Sequence, residues 1–576
     1  MNITMIVPTV AIKRNPIYRL GGRLYGNSNP ITGPLILGGI LKRAGHHVEC
    51  YQELQGAVNY HRLLRSTDVL CLYTMTTTAP RAYELADLFH EKGHAHVIIG
   101  GIHASSLPQE ALHHADQVIV GEGESVILDV VEGRIGDSIV KAPPICDLDT
   151  VPFPDYSILK TPCKCANIMT SRGCPFRCSF CTTSRMFAPY RRRSVDNVIE
   201  EIRMCHNLGF EYMNFEDDNF TADKERAKEI CRRIIEENLQ FKETFFFGRT
   251  DMADDPELLD LLAEAHLTRV LIGIESLNQD ALDSIDKRAD VKATERACKA
   301  CWDHGIRVIA SLVLGLDDDG PEDIRRAYRF AKDVGAYQIQ PAILTPFPGT
   351  PVYESFQEDD RMLTDNWELF DMTNVTFQPK KMSPWDLQDI FFEAASNFYD
   401  IPSAVRIKEK FGTEYGLRRL YLAVVTTIGV PLGEWMADHV EISPYYQLKH
   451  THWKYEPDRG TKIVPSKRKR DGFFERAGEM LREGVRTVRN AGAAGVEKIG
   501  GFARDLGELL SQSADRVQFK GPGIFGRPTY AADAAVESQT TRSDTGHEEA
   551  IAAVVGAVLA IGLGIHEIAD GKHLVA

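Results

Sequence analysis

The sequence has no surplus of positive charge: 66 Lys and Arg stand against 81 Asp and Glu, for a formal net charge of -15. General nucleic-acid binding, which needs a basic footprint to displace condensed counterions, is therefore excluded as the main role. The opening residues, MNITMIVPTV, carry no basic segment, no long apolar stretch and no small-residue cleavage site. They read as a buried strand, so a reducing cytoplasm is the expected compartment. No repeat of fixed period runs through the chain. The terminal apolar run, Ala550 to Ile565, falls short of the roughly 20 residues that a spanning helix needs, and its many Ala and Gly residues weaken insertion. Of the twelve cysteines, Cys50, Cys71, Cys146, Cys205, Cys231, Cys298 and Cys301 are scattered through apolar or amphipathic segments, where Cys acts as a small hydrophobe. Cys163 and Cys165 form a CxC whose disulfide geometry would be poor, and they are read as structural.

At 576 residues the chain is too long for one core, and about three or four domains are expected. Residues 1–142 alternate strand-like and helix-like segments, among them ITMIV, HHVECYQ, DVLCLYT, HVIIGG and QVIVGEGE. That alternation predicts an α/β domain with an open, doubly wound parallel sheet. A Pro-rich linker covers 143–165. Over 166–383 the alternation restarts with the strand candidates NIMTS, YMNFEDD, TFFFGRT, RVLIGIES, RVIASLVLG and YQIQPAILT. Six βα units in succession predict a partial (β/α)6 barrel, whose chemistry sits at the carboxyl ends of its strands. Residues 384–466 read as a helical C-terminal domain, and 467–576 as a helical and partly disordered tail. In that tail the basic cluster Lys467 to Arg470 precedes a helix with Phe473, Ala477, Leu481, Val485 and Val488 on one apolar stripe. A basic amphipathic helix can lie in a membrane interface, so loose, salt-sensitive membrane association of a cytoplasmic protein is expected.

The chemistry concentrates in Cys174-Pro175-Phe176-Arg177-Cys178-Ser179-Phe180-Cys181, just after the strand NIMTS. Three thiolates on one short loop can converge on a [4Fe-4S] cubane, and because four irons need four ligands, one iron is left open. The amino and carboxylate groups of S-adenosylmethionine can chelate that iron. A zinc site is the competing reading, but it wants paired ligand motifs, and no second pair follows at a suitable spacing. Glu216, Asp217 and Asp218 end the second barrel strand at the functional rim. Glycines Gly100, Gly101, Gly121 and Gly123 follow apolar strands of the first domain, where the ligand-facing turns of an open sheet lie.

TSRGCPFRCSFC, with FAPYRRRSVDNVIEEI, FEDDNF, GIES and LTPFPGTPVYE behind it, resembles the radical S-adenosylmethionine (radical SAM) enzymes with an N-terminal cobalamin-binding-type domain. NPITGPLILGGILKRAGHHVECYQE, IIGGIHASSLPQEAL and VIVGEGESVILDVV are similar to the cobalamin-binding domains of that family, and the likeness covers about Met1 to Pro379. It implies that Cys174, Cys178 and Cys181 bind the cluster and that Phe180 packs near the adenine. Glu216 then grips the amino group of S-adenosylmethionine, Arg249 and Glu275 contact its carboxylate and ribose, and Gly315 lets backbone approach the adenine. The DxHxxG signature that supplies an axial His to cobalt is absent, and His103, in GGIHAS, reads as a loop or pocket-wall residue. By resemblance the activity is a cobalamin-dependent methyl transfer, through a 5′-deoxyadenosyl radical, to an unactivated carbon of a small molecule, lipid-like if the tail meets membranes. Electrons would come from a reductase, flavodoxin or ferredoxin. A non-methylating oxidoreductase or cyclase of the same architecture, and an iron-sulfur sensor, are the alternatives.

Overall fold

The computed structural model describes residues 1–10, 29–161, 163–287 and 291–424. The expected basic helix and the apolar run Ala550 to Ile565 lie outside them, and so does the basis for a membrane-bound or lipid-like role. Among the described residues no helix is long and apolar enough to cross a membrane. The chain divides into two compact units, whose described parts are residues 1–398 and 399–424. The second contributes two helices, Ile401–Phe411 and Thr413–Val424.

The first unit opens with β1 (Asn2–Val7), α1 (Thr32–Arg43), β2 (His47–Gln52), β3 (Val69–Tyr73), α2 (Ala79–Lys92), β4 (His96–Gly100), β5 (Gln117–Val120) and β6 (Ile139–Lys141). All six strands are parallel, in the order β2-β1-β3-β4-β5-β6. The order reverses beside β1, and ligands bind at such a switch, outside the carboxyl ends of the strands. The sheet is covered on both faces, which is why its strands are apolar nearly throughout. Met5 joins the layer containing Leu35 and Leu41 of α1, while Ile6 joins the layer containing Leu85 and Phe89 of α2. Gly38 lets α1 lie against the sheet and the linker: a Cβ there would fall 2.9 Å from Met5 Sδ, with Ile158 closer still.

The linker leads into β7 (Cys165–Ile168), α3 (Val195–Asn207), β8 (Tyr212–Phe215), α4 (Lys224–Glu236), β9 (Glu243–Gly248), α5 (Pro256–Glu264), β10 (Arg269–Glu275), α6 (Val291–Asp303), β11 (Arg307–Leu314), α7 (Pro321–Asp333) and β12 (Gln338–Ile343). These strands pair in sequence order, all parallel, which is the partial barrel read from the alternation. Side chains start the helices: Ser194 accepts from Asn197 N–H, Asp223 from Arg226 N–H and Asp255 from Leu258 N–H. A last helix of this unit, α8 (Pro384–Phe398), follows.

The helices bury the outer barrel face around Phe215, Phe220 and Phe246. Phe215 and Phe220 stack at 4.4 Å, and Phe246 meets Phe220 edge-on at 5.8 Å. Phe246 is fully buried. Phe246→Ala should therefore lower the stability of this unit by about 3–5 kcal/mol, measured as a lower midpoint of urea unfolding. A change under ~1 kcal/mol would mean that the layer is not packed as described.

Candidate functional site

Every strand-to-helix turn of a parallel sheet leaves from the same edge. Here the turns of both sheets border one cavity of about 560 Å³. From the first sheet it receives Thr9 after β1, Gly101 after β4 and Gly121 to Glu124 after β5; from the barrel it receives Glu216 to Asn219 after β8 and Arg249 after β9.

Cys174, Cys178 and Cys181 all line this cavity and are partly open to it. Their loop is pinched at its neck, where Ser171–Arg172 pairs antiparallel with Arg191–Arg192. Gly173 makes the turn into it at φ +78°, and a Cβ there would lie 2.5 Å from Phe187 O. The Ser179 N–H donates to Ile285 O at 3.2 Å, which ties the loop to the segment after β10. The Arg249 guanidinium lies 3.9 Å from the centre of the Phe176 ring, over the same loop. Burial pushes the Cys174 thiol up to about 11. The thiols share a wall without forming a compact single-ion site: among the described residues no three His, Cys, Asp or Glu side chains group to hold one metal ion.

The three acids of FEDDNF have different surroundings. Asp217 is buried and accepts from Thr170 N–H at 3.0 Å, from Thr170 Oγ1 at 2.8 Å and from Ser171 Oγ. It binds the end of β8 to the strand that leads into the cysteines. Glu216 is half-buried and lines the cavity; Asn167 Nδ2 donates to its Oε1 at 2.6 Å and also to Pro30 O, in the first domain, at 2.8 Å. Desolvation, with the negative charge of Asp217, pushes Glu216 up to about 8 against that hydrogen bond. Burial also raises Asp218, to about 6. Glu275 stands at a bulge that shifts the register of β10, with φ +61°, an arrangement that a non-glycine residue holds only when its surroundings enforce it. Lys287 Nζ donates to its carboxylate at 2.6 Å.

Phe180, Gly101, Gly121 and Gly123 also line the cavity. Gly100 and Gly315 do not. Gly100 is the last residue of β4, one step short of the turn. Gly315 follows β11, and a Cβ on it would lie 2.5 Å from Leu387 of α8, so its missing side chain makes room for that helix. His103 is buried outside the cavity wall, with Nε2 3.1 Å from Glu110 and Nδ1 unpartnered. Sequence reasoning passed over Asn167, Lys287, Arg172, Arg191, Glu122 and Glu124. The TSRGC, RRR and GEGE segments carried the last four in plain view, but no spacing rule pairs residues so far apart.

The radical SAM superfamily model matches residues 168–331, and the B12 binding domain model matches residues 25–131. This chain carries a radical SAM domain, preceded by a B12-binding domain. It is similar to an uncharacterised methyltransferase of Pyrococcus horikoshii, 27% identical over 448 residues that make up 71% of this chain and 95% of that one. It is also similar to the anaerobic magnesium-protoporphyrin IX monomethyl ester cyclase of Cereibacter sphaeroides, 28% identical over 455 residues, 71% of this chain and 72% of the relative. In fold it resembles the cobalamin-dependent S-adenosylmethionine radical enzyme OxsB with aqua-cobalamin and S-adenosylmethionine bound, with a TM-score of 0.58, 14% identity, and coverage of 86% of this chain and 81% of that one.

The chain is thus a radical SAM enzyme, and its two domains imply a [4Fe-4S] cluster, S-adenosylmethionine and cobalamin. The residues present fit these groups. The thiols face one cavity, and Ser184 Oγ is buried on the same wall with no partner. On the B12 side, Gly101 (φ +105°) and Gly121 (φ +91°) line the cavity as turns that only glycine fits: a Cβ would meet Thr74 O at 2.5 Å in the first case and Ala142 O at 2.9 Å in the second, so backbone rather than side chain forms the wall there.

Two outcomes follow. The triple change Cys174→Ala, Cys178→Ala and Cys181→Ala should leave a folded protein that takes up no iron on anaerobic reconstitution, measured by iron analysis; a full four-iron complement would contradict the ligand set. Glu216 is protonated in the folded chain up to about 8 but ionises near 4.5 when unfolded. The folded state then binds more protons than the unfolded one across that window, so stability falls as pH rises through it. Glu216→Gln should flatten this slope of Tm against pH between 4.5 and 8.

Proposed function

We propose that this enzyme methylates an unactivated carbon of a small-molecule substrate. The observation that carries the reading is that the cysteine loop and the glycine turns of the B12-binding domain open into the same cavity. When bound, the cluster with S-adenosylmethionine supplies a hydrogen-abstracting radical, and cobalamin supplies a transferable methyl group. Cys174, Cys178 and Cys181 hold three irons and leave the fourth for the cosubstrate. Glu216, whose carboxyl is pushed up by desolvation and by Asp217, would hold the cosubstrate's ammonium group, and that positive charge would favour its carboxylate form. Phe180 packs beside the adenine. Arg249, over the Phe176 ring, would meet the cosubstrate carboxylate, and Glu275, held by Lys287, would meet the ribose hydroxyls. Gly101, Gly121 and Gly123 let the corrin approach the sheet edge. Phe247, Leu271, Val313 and Leu344 wall the barrel end of the cavity with apolar surface, which excludes water from the reacting carbon. A reductase, flavodoxin or ferredoxin delivers the electrons.

Because one relative is a cyclase, the test separates the two chemistries. Protein reconstituted anaerobically with iron, sulfide and hydroxocobalamin is incubated with S-adenosylmethionine, a reductant and metabolite extract, and the products are weighed by mass spectrometry. A product heavier than its precursor by one CH2 supports methylation. A product lighter by two hydrogens, formed equally without corrinoid, would replace this reading by the cyclase.

A further inference from the structure

Two glutamates of the B12-binding domain and two arginines at the neck of the cysteine loop form a largely buried lattice at the edge of the cavity. Glu122 and Glu124 lie in the turn after β5; Arg172 and Arg191 face each other across the two-residue ladder at the neck of the loop. Arg191 forks onto Glu122, Nη2 to Oε1 at 2.5 Å and Nη1 to Oε2 at 3.0 Å. Arg172 spans both acids, with Nη1 3.2 Å from Glu122 and Nη2 2.5 Å from Glu124. Glu122 is 5% exposed and each arginine 8%.

Arg191 has no donor left over. Its Nε donates to Pro189 O, Nη1 also to Ile145 O and Nη2 also to Phe187 O, at 3.0, 2.6 and 3.1 Å. Glu122 in turn accepts from the Ile145 N–H at 2.9 Å. The plane of the guanidinium is thus set from both sides, by carbonyls of the cysteine loop and by the turn of the other domain. Desolvating four charges offsets most of what their attraction returns, so such a lattice adds little net stability. What it fixes is geometry. Phe187 and Pro189 belong to the loop that must hold a cluster, while Gly121, the residue before Glu122, lines the expected corrinoid floor.

We propose that Glu122, Glu124, Arg172 and Arg191 are positioning residues that couple the two cofactor sites. A cluster that holds the cysteine loop in place orients the arginines, the arginines hold the β5 turn, and each cofactor thereby raises affinity for the other, as linkage requires. The inference rests on the reading that cobalamin binds at the β4 and β5 turns.

The test is the dissociation constant of hydroxocobalamin, measured anaerobically on iron-free and on cluster-loaded full-length protein. Wild type should bind at least roughly fivefold more tightly when loaded. Glu122→Gln, loaded to the same iron content, should bind with one affinity in both forms. Glu124→Gln, at the more open edge of the lattice, should shrink the ratio and serves as the second variant if the first does not fold. Equal affinities in the two wild-type forms would overturn the inference while leaving the proposed function standing, and so would a full wild-type ratio in the folded variants. Wild type that binds no corrinoid in either form would overturn both.

Discussion

The structure depends on one geometric constraint: in a parallel sheet, the turns that follow the strands all emerge at the same edge. One such edge makes a site; two that border the same space make a shared one. The turn residues at the ends of β4 and β5 and those at the ends of β8, β9 and β10 come from segments about ninety or more positions apart, yet they border a single cavity. The proposed methyl transfer would require this, because a radical made at one place and a methyl group held at another would have to reach the same carbon.

Within that frame the polar groups divide into those that brace and those that face the cavity. Asp217 is saturated by Thr170 and Ser171 and keeps the cysteine-bearing strand aligned with β8. Its neighbour Glu216 is held by a single amide and is left with a costly buried carboxyl, the kind of perturbed group that marks functional sites. Asn167 links the two roles, since the amide that touches Glu216 also holds Pro30 of the first domain, while its own oxygen accepts from Asn214. The bulge at Glu275 works in the same sense: the strand gives up regular pairing there and aims a carboxylate at Lys287.

The fold classes were legible in the sequence because strand and helix patterns alternate without interruption, and a strand buried on both faces, such as β1, reads as continuously apolar. The cysteine motif was legible because its three ligands are local, and the rim acids because they directly follow an apolar strand. Gly315 was only partly legible because a glycine after a strand has two uses, to admit a ligand or a packed helix, and the place of its missing side chain is taken by Leu387 of α8. The lattice of Glu122, Glu124, Arg172 and Arg191 was hidden for a different reason. Its partners are tens of residues apart, and a charged residue in a sequence gives no sign of whether water or another charge will surround it.

The claim that the two cofactors share one cavity can be tested without knowing the substrate. Pulsed EPR on the fully loaded protein, with the cluster reduced and the corrinoid in its cobalt(II) state, reads the dipolar coupling between the two spins. A strong coupling, unchanged in sign or size by dilution of the protein, is the predicted result. Two superimposed spectra with no coupling would show that the corrinoid lies away from the cysteine loop and would contradict the account.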